Sequence, residues 1–527
     1  METLRLTREE QVARLTEPGT VWDFLVVGGG ATGLGVAVDA ASRGHRVALV
    51  DRNDFCKGTS SRSTKLVHGG VRYLQQGNVS LVLEALRERG ILRNNAPHLV
   101  RNLPFVVPNY EWWEAPFYGI GLRLYDLLAG RYGFGRSRNL NREQTLERIP
   151  TVETDGLRGG VIYYDGQFDD ARLAVNLMQT AVEQGACCVN YAEVVSLLKS
   201  ADDMVEGAVV RDRETGNEYS VPARAVINAT GPFADVLRKM DDPDTPRMIR
   251  PSQGVHIVLD RRFLPRDSAV MVPHTDDGRV LFAIPWQDRV VVGTTDTPIA
   301  DVSEEPLPLD EEIAFLLEHA ARYLADDPLE ADILSVFAGI RPLVDAGEGS
   351  TAALSRDHTL HISRSGLVTI TGGKWTTYRK MAEDTVDQAE AVAQVEPAPC
   401  VTKTLRIHGY AEPAEALSPL AAYGSDALEL NNLVTRHPEL GRKLHPRLPV
   451  TAAQVVWAAR HEMARTVEDV LSRRTRALLL DARAAAEAAE STAAILAVEL
   501  GRDTDWRQRQ VGEFHKLVAR YLPKGGA

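Results

Sequence analysis

Positive charge, cysteine and long apolar runs are all scarce in this 527-residue chain, and each scarcity removes a class of function. The formal net charge is −12, so nothing draws the chain as a whole toward a polyanion, and nucleic-acid binding is not expected. Any anionic ligand must be met by a local group of cations. The four cysteines, Cys56, Cys187, Cys188 and Cys400, form no CxxC pair. That argues against a zinc site or a disulfide framework, fits a reducing compartment, and leaves no metal expected. The longest uncharged run, Phe24 to Val38, has fifteen residues, five of them glycine, and is too short to cross a bilayer. Met1 to Thr20 is polar and charged, so no signal peptide is expected. These features predict a soluble or peripheral protein without a transmembrane helix. The length suggests about two to four domains, and no internal repeat or long low-complexity linker divides them.

What is present begins with a nucleotide-binding unit. DFLVVGGGATGLGVAVDAASRGHRVALVDRND reads as strand, tight turn, helix and strand. Phe24 to Val27 is an apolar run suited to a strand buried on both faces. Gly28, Gly30 and Gly33 complete GxGxxG: one for the turn, one for close approach of a pyrophosphate, one for helix–strand packing. Ala31 and Thr32 fall at the helix start, where unpaired N–H groups favour a phosphate. Asp51, at the end of the second strand (Val47 to Val50) and 23 residues after Gly28, is placed to accept from a ribose hydroxyl.

Two later segments return to the same fold. ARAVINATGPFAD (223–235) is an apolar strand ending in Ala229, Thr230 and Gly231. GLVTITGGKWTTYRKMAED (366–384) is another, followed by Gly372, Gly373 and a helix expected to begin near Lys374, with Trp375 and Thr376 in its first turn. An ordinary NAD enzyme closes its nucleotide fold in one stretch and has no use for a third visit near residue 372. A flavin is held along its length, and a helix start suits the ring edge where reduction builds negative charge. The expected cofactor is FAD.

With those segments in view, the chain resembles the FAD-dependent glycerol-3-phosphate dehydrogenases, the respiratory enzymes of bacteria and mitochondria. The resemblance rests on VVGGGATGLGVAVDAASRG, GTSSRSTKLVHGGVRYL, SQGVHIVL, VGTTDTP, AGIRPLV, LSRDH and TGGKWTTYRKMAEDTVD, in that order and spacing. It extends into the tail through VVWAARHEMARTVEDVLSRR, while the Ala-rich 484–497 stretch and the last twenty or so residues carry no motif. It implies oxidation of sn-glycerol 3-phosphate to dihydroxyacetone phosphate, with FAD taking a hydride and passing electrons to a membrane quinone. It also implies a cytoplasmic protein on the inner face of the cell membrane, and it admits a homodimer. The expected fold is α/β: a Rossmann-like FAD domain of the glutathione-reductase/D-amino-acid-oxidase type (19–100, 155–240 and 336–396), an antiparallel-sheet substrate or cap domain (101–154 and 241–335) and a C-terminal helical domain (397–527).

Residues 58–74, GTSSRSTKLVHGGVRYL, crowd six hydroxyls and three glycines among Arg62, Lys65, His68 and Arg72. Thr59, Ser60, Ser61, Ser63 and Thr64 suit a loop running along FAD with small donors aimed inward; a basic, solvated surface loop is the plain alternative. The resemblance places Lys65, Leu66 and His68 against the flavin and makes Arg72 and Tyr73 ligands of the substrate phosphate. A phosphate needs several converging cations, for which the planar fork of Arg is suited. Arg341, Arg356 and Lys374 join Arg72 as candidates, with structural ion pairing the alternative for Arg341 and Arg356. Loss of the C2 hydroxyl proton calls for a base with a pKa near the working pH. His256 in SQGVHIVL is the first candidate, His68 competes, and Arg341 or Lys374 could share the task by lowering the alcohol's pKa.

Elsewhere, 110–134 holds eight aromatics in 25 residues with Arg123, Arg131, Arg136 and Arg138 within it or close by. Aromatics beside arginines suit a membrane–water interface, and an aromatic cap over the substrate domain is the alternative. Strand-like runs in 250–335 predict an antiparallel sheet, with Thr294, Thr295 and Asp296 supporting the site from behind. Beyond Pro397 the pattern turns helical, and Glu462, Glu468, Asp469, Arg473 and Arg474 read as a solvated face. Three alternatives in function remain at this stage: a glycerol-3-phosphate oxidase reducing oxygen, an amine or 2-hydroxy-acid oxidoreductase, and a non-catalytic flavoprotein.

Overall fold

A computed structural model describes residues 6–71, 74, 78–272, 275, 280–344, 358–412 and 420–524. Its first sheet is built around Trp22–Val27, which pairs in parallel with Val47–Val50 on one side and Glu218–Asn228 on the other. Cys187–Val189 and Val368–Gly372 extend the parallel set outward, and His358–Ile362 closes one edge antiparallel. Phe24, Leu25 and Val26 are fully buried, as an apolar run covered on both faces must be. The helix Ala31–Ser42 packs on this sheet between Asp170–Glu183 and Tyr378–Ala393.

The second sheet has ten strands, nearly all antiparallel, with Ile249–Asp260 flanked by Arg289–Gly293 and Ser335–Val344. It reaches further along the chain than the sequence boundaries allowed. Gly159–Gln167 and Ser335–Val344, expected in the FAD domain, are strands of this sheet. Their alternating pattern says that they are strands but not which sheet they join.

The C-terminal region is helical, with Ala452–His461, Ala482–Leu500 and Thr504–Val518 sharing a core with Val258, Trp286 and Phe337 of the second sheet. The expected solvated face is not there. Glu462, Asp469, Arg473 and Arg474 are buried. Arg473 and Arg474 both donate to Asp54, at 2.5 Å, and Arg172 donates to Glu462, at 2.5 Å. Burial alone would push the Asp54 carboxyl up, but the two guanidinium groups hold it below the usual range. The period of the segment marks a polar face. It does not reveal that the face meets complementary charge on the nucleotide domain instead of water.

Candidate functional site

The carboxyl ends of the parallel strands open into an elongated cavity of about 700 Å³ that runs on beneath the second sheet. This is where ligands bind in open α/β sheets. The turn after Trp22–Val27 explains its first wall. Gly28 has φ +109°, and a Cβ there would lie 2.6 Å from the carbonyl oxygen of Ala229. A Cβ at Gly33 would lie 1.8 Å from the Gly28 carbonyl oxygen, so Gly33 sets the close packing of helix on turn and does not itself face the cavity. Gly28, Gly30, Ala31 and Thr32 do face it. Asp51 lines the same end, its carboxylate fixed by the N–H groups of Gly29 (2.6 Å) and Asn53 (2.8 Å). Burial raises its pKa to about 6 against the pull of those two bonds.

The 58–68 loop is laced between the chain's first and third visits to the fold. Ser60 Oγ accepts from the Ala31 N–H at 2.9 Å, while its carbonyl accepts from Trp375 Nε1 at 2.8 Å. Thr376 Oγ1 accepts from the His68 N–H at 3.2 Å. Ser60, Ser63, Thr64, Leu66 and His68 line the cavity from this loop. Ala229 and Gly231 line it from the second visit, and Gly372, Gly373, Lys374, Trp375 and Thr376 from the third. The last visit opens as a short 3-10 turn, Trp375–Thr377, before the α-helix Tyr378–Ala393, so the regular helix starts four residues later than expected.

Two expected flavin contacts are corrected. Lys65 has φ +63°, which turns its side chain away from the cavity into a fully buried position on Asp170 (2.7 Å) and the Ser61 carbonyl (2.9 Å). Ser61 turns its hydroxyl back to the Gly58 carbonyl (3.3 Å) and does not line the cavity. Arg72, Tyr73 and Arg356 lie outside the described residues.

The far wall carries the candidate chemistry. His256 lines the cavity at the middle of a row that crosses the sheet, with Gly293 opposite it on one strand and Phe337 on the other. A Cβ at Gly293 would lie 2.2 Å from the imidazole, so glycine there gives the ring its place. Phe337 stacks on the other side at 4.8 Å and 11°. Nε2 is hydrogen-bonded to Thr64 Oγ1 at 2.9 Å. Burial, then the charges of Lys65 and Arg341, drive the His256 pKa well below 6.5. The ring is therefore a neutral acceptor at neutral pH and not a base poised at the working pH. A bound phosphoester dianion would shift it back upward.

Arg341 lines the cavity from the strand next to His256. Its guanidinium is held by Asp296 (3.1 Å), Thr294 Oγ1 (3.0 Å) and the carbonyls of Thr295 (3.0 Å) and Gln253 (3.3 Å). Thr294, Thr295 and Asp296 thus do support the site from behind. Room for the guanidinium comes from Gly254, where a Cβ would meet it at 2.4 Å. Gly254 pairs with Gly339, which accommodates Arg62. Arg62, a lining residue that sequence reasoning left unassigned, is tied to Glu305 at 2.7 Å. The glycine of AGIRP was its signal, as that of SQGVH was for Arg341, each legible only once the two strands are known to pair. Asn53, Arg52 and Arg211 at the opposite end carried no such signal.

The cavity fits FAD on its own geometry. A glycine cradle and helix start suit a diphosphate, Asp51 suits a ribose, and the second glycine turn, Gly372 and Gly373 with the short 3-10 turn after it, lines the same cavity. A family model described as FAD dependent oxidoreductase matches residues 23–379, and one described as the C-terminal domain of alpha-glycerophosphate oxidase matches 364–507. The mitochondrial glycerol-3-phosphate dehydrogenase of Homo sapiens is 42% identical over 97% of this chain and 75% of its own length. That of Arabidopsis thaliana is 43% identical over 93% of this chain and 84% of its own. Among solved structures, glycerol-3-phosphate dehydrogenase from Bacillus halodurans complexed with FAD superposes with a TM-score of 0.80 at 30% identity, covering 98% of this chain and 97% of that one.

Proposed function

Since the chain belongs to the FAD-dependent glycerol-3-phosphate dehydrogenases, we propose that the cavity between its two sheets oxidises sn-glycerol 3-phosphate at C2 and that a membrane quinone receives the electrons. The observation that carries the reading is one continuous cavity lined both by the Gly28, Gly30, Ala31 and Thr32 cradle and by His256, Arg341 and Lys374. Bound FAD supplies the hydride acceptor. Gly28, Gly30, Ala31 and Thr32 would hold its diphosphate, and the Gly372 to Thr376 turn would hold its ring end. The side chains do the rest. Arg341, with two N–H edges fixed by Asp296 and Thr294, offers a preoriented cation to the phosphate, and Lys374 adds a second. Arg72, Tyr73 and Arg356 are further phosphate ligands in this reading. His256, neutral and held flat by Phe337, accepts the C2 hydroxyl proton as the C2 hydride leaves, giving dihydroxyacetone phosphate.

Mixing the purified protein anaerobically with glycerol 3-phosphate should bleach its flavin, while glycerol and D-lactate at the same concentration should not. Bleaching by D-lactate instead would reject the phosphoester. Anaerobic turnover with a soluble quinone, with little peroxide formed in air, is the expected acceptor result; stoichiometric peroxide would make oxygen the acceptor.

Access to a quinone requires a membrane-facing surface, and we assign that role to the aromatic segment. On the helix Glu114–Ala129 and the residues before it, Trp113, Phe117, Ile120, Leu124 and Leu127 follow a helical period on the outer face. Trp112 is 74% exposed, Ile120 70% and Leu127 76%, a concentration of apolar side chains in water that burial in a lipid interface would relieve. No helix among the described residues is long and apolar enough to cross a membrane. We propose that the protein lies in the interface by this helix, on the cytoplasmic face of the membrane. Replacing Trp112, Phe117, Ile120 and Leu127 with glutamine should cut co-sedimentation with anionic vesicles at least about tenfold while flavin content is retained. Undiminished sedimentation would return this helix to a simple cap.

A further inference from the structure

Asp170 is the first residue of the helix Asp170–Glu183 and is fully buried. Its two carboxylate oxygens gather one short stretch of chain. Oδ2 accepts from the Ser63 N–H (3.1 Å), Ser63 Oγ (2.7 Å) and Lys65 Nζ (2.7 Å). Oδ1 accepts from Arg476 Nη2 at 2.9 Å, and the same nitrogen donates to the Ser61 carbonyl at 2.8 Å. Arg476 comes from the C-terminal helical region, more than four hundred residues along the chain, and is 1% exposed. Burial alone would raise the Asp170 carboxyl, but Lys65 and Arg476 hold it below the usual carboxylate range.

Thr64 stands between the two anchored residues. With Ser63 and Lys65 both fastened to Asp170 behind the loop, the Thr64 side chain is presented on the other side, to His256 Nε2. The cluster also reaches the imidazole by a second route. The Lys65 ammonium lies 5.0 Å from the Phe337 ring, and Phe337 stacks on His256. Trp286 is shared, 5.5 Å from Lys65 and 5.6 Å from the Arg476 guanidinium. Neither Lys65, Asp170 nor Arg476 lines the cavity. Ion pairs buried this deeply stabilise a fold little better than well-packed apolar side chains, because desolvation offsets their attraction. What they do supply is a fixed geometry, and the geometry fixed here is that of the Thr64–His256 pair.

We propose that Asp170 and Arg476 are positioning residues for substrate oxidation: they clamp residues 61–65 from behind, so that the C-terminal domain sets the orientation of the imidazole in the cavity. The proposal rests on His256 being the proton acceptor described above. It makes the C-terminal domain a working part of the flavin site, and it predicts that damage at Arg476 is felt in the chemical step before it is felt in substrate affinity.

The test is a double-mutant cycle on the flavin-loaded, full-length protein, reading single-turnover flavin reduction by glycerol 3-phosphate. Arg476→Lys should slow reduction about tenfold, leaving the half-saturating substrate concentration within about twofold and the visible flavin band unchanged. Thr64→Val should slow it at least as much. The double variant should be no slower than Thr64→Val within about twofold, because Arg476 holds Asp170 and the Ser61 carbonyl, and the loop they fasten reaches the imidazole through Thr64. Multiplying effects, a wild-type rate in either single variant, or a change in half-saturation alone would overturn the proposal. Should Arg476→Lys fail to retain flavin, Asp170→Asn enters the same cycle under the same outcomes, since it keeps an acceptor oxygen for the loop but removes the ion pair with Arg476. A wild-type protein that glycerol 3-phosphate does not bleach would reject the functional reading itself, a separate result.

Discussion

Replacing His256 with alanine will leave the flavin bound but slow its reduction by glycerol 3-phosphate at least about a hundredfold, the usual scale of a lost general base. The imidazole is no part of the diphosphate cradle, which is built from Gly28, Gly30, Ala31 and Thr32. Flavin content and spectrum should therefore survive. What disappears is the only neutral proton acceptor that Thr64 and Phe337 hold in a fixed orientation among the described residues. The pH dependence carries a sign. Because burial and two nearby cations keep the free His256 pKa well below 6.5, the unliganded ring is already deprotonated at neutral pH. Second-order reduction rates in the wild type should gain nothing from this residue as pH rises from 7 to 8. They should fall only in acid, as the ring takes up a proton. The unfolded state binds that proton more readily, so the ring's contribution to stability is present above about pH 6.5 and is lost as pH falls below it. Single-turnover reduction across pH, compared between wild type and His256→Ala, checks both statements. A variant that reduces at near-normal rates would assign proton transfer to another group.

Arg341→Met should raise the concentration of glycerol 3-phosphate required for half-maximal reduction by about a hundredfold or more. Two effects act together. The phosphate loses a fixed cation, and Asp296, buried behind the wall 3.1 Å from the guanidinium in the native protein, keeps its charge without that partner. That charge, no longer neutralised, opposes the phosphate through the wall, with a strength that falls with distance. The double variant Arg341→Met/Asp296→Asn should accordingly recover part of the lost affinity. Arg341→Lys should fall between, since it restores the charge but not the fork. Reduction by a large excess of unphosphorylated glycerol, however slow, should be the same in Arg341→Met as in the wild type. An equal loss for glycerol would make Arg341 a part of the chemical step and not a phosphate ligand.

The portions of the site that could be read from the sequence are those in which one contiguous span carries the whole physical requirement. The glycine turn, the helix start behind it and Asp51 lie within 24 residues and have no other economical explanation. His256 and Arg341 could be singled out as residue types suited to the reaction, within motifs that mark the family. Their placement depends on something the linear text does not display: Gly293 and Gly254 open the slots their side chains occupy, and those glycines act from neighbouring strands. Lys65 shows the opposite failure. It stands in the motif where a flavin contact is expected, but a single left-handed residue reverses its direction, and an isolated positive φ in a lysine leaves no trace in composition or period. The buried charges at Glu462 to Arg474 were misread for a related reason. An amphipathic period separates two faces of a segment without saying whether the polar one meets solvent or a matching set of charges on another domain.

The flavin cavity draws its walls from residue 27 through residue 381, and the clamp behind it waits for Arg476. On a translating ribosome, then, the glycine turn emerges early but faces no opposite wall until some two-thirds of the polypeptide has been made. Cofactor insertion is accordingly a late event in biogenesis, and an interrupted nascent chain ending before Val368–Gly372 would lack the surface that closes over the flavin's ring end.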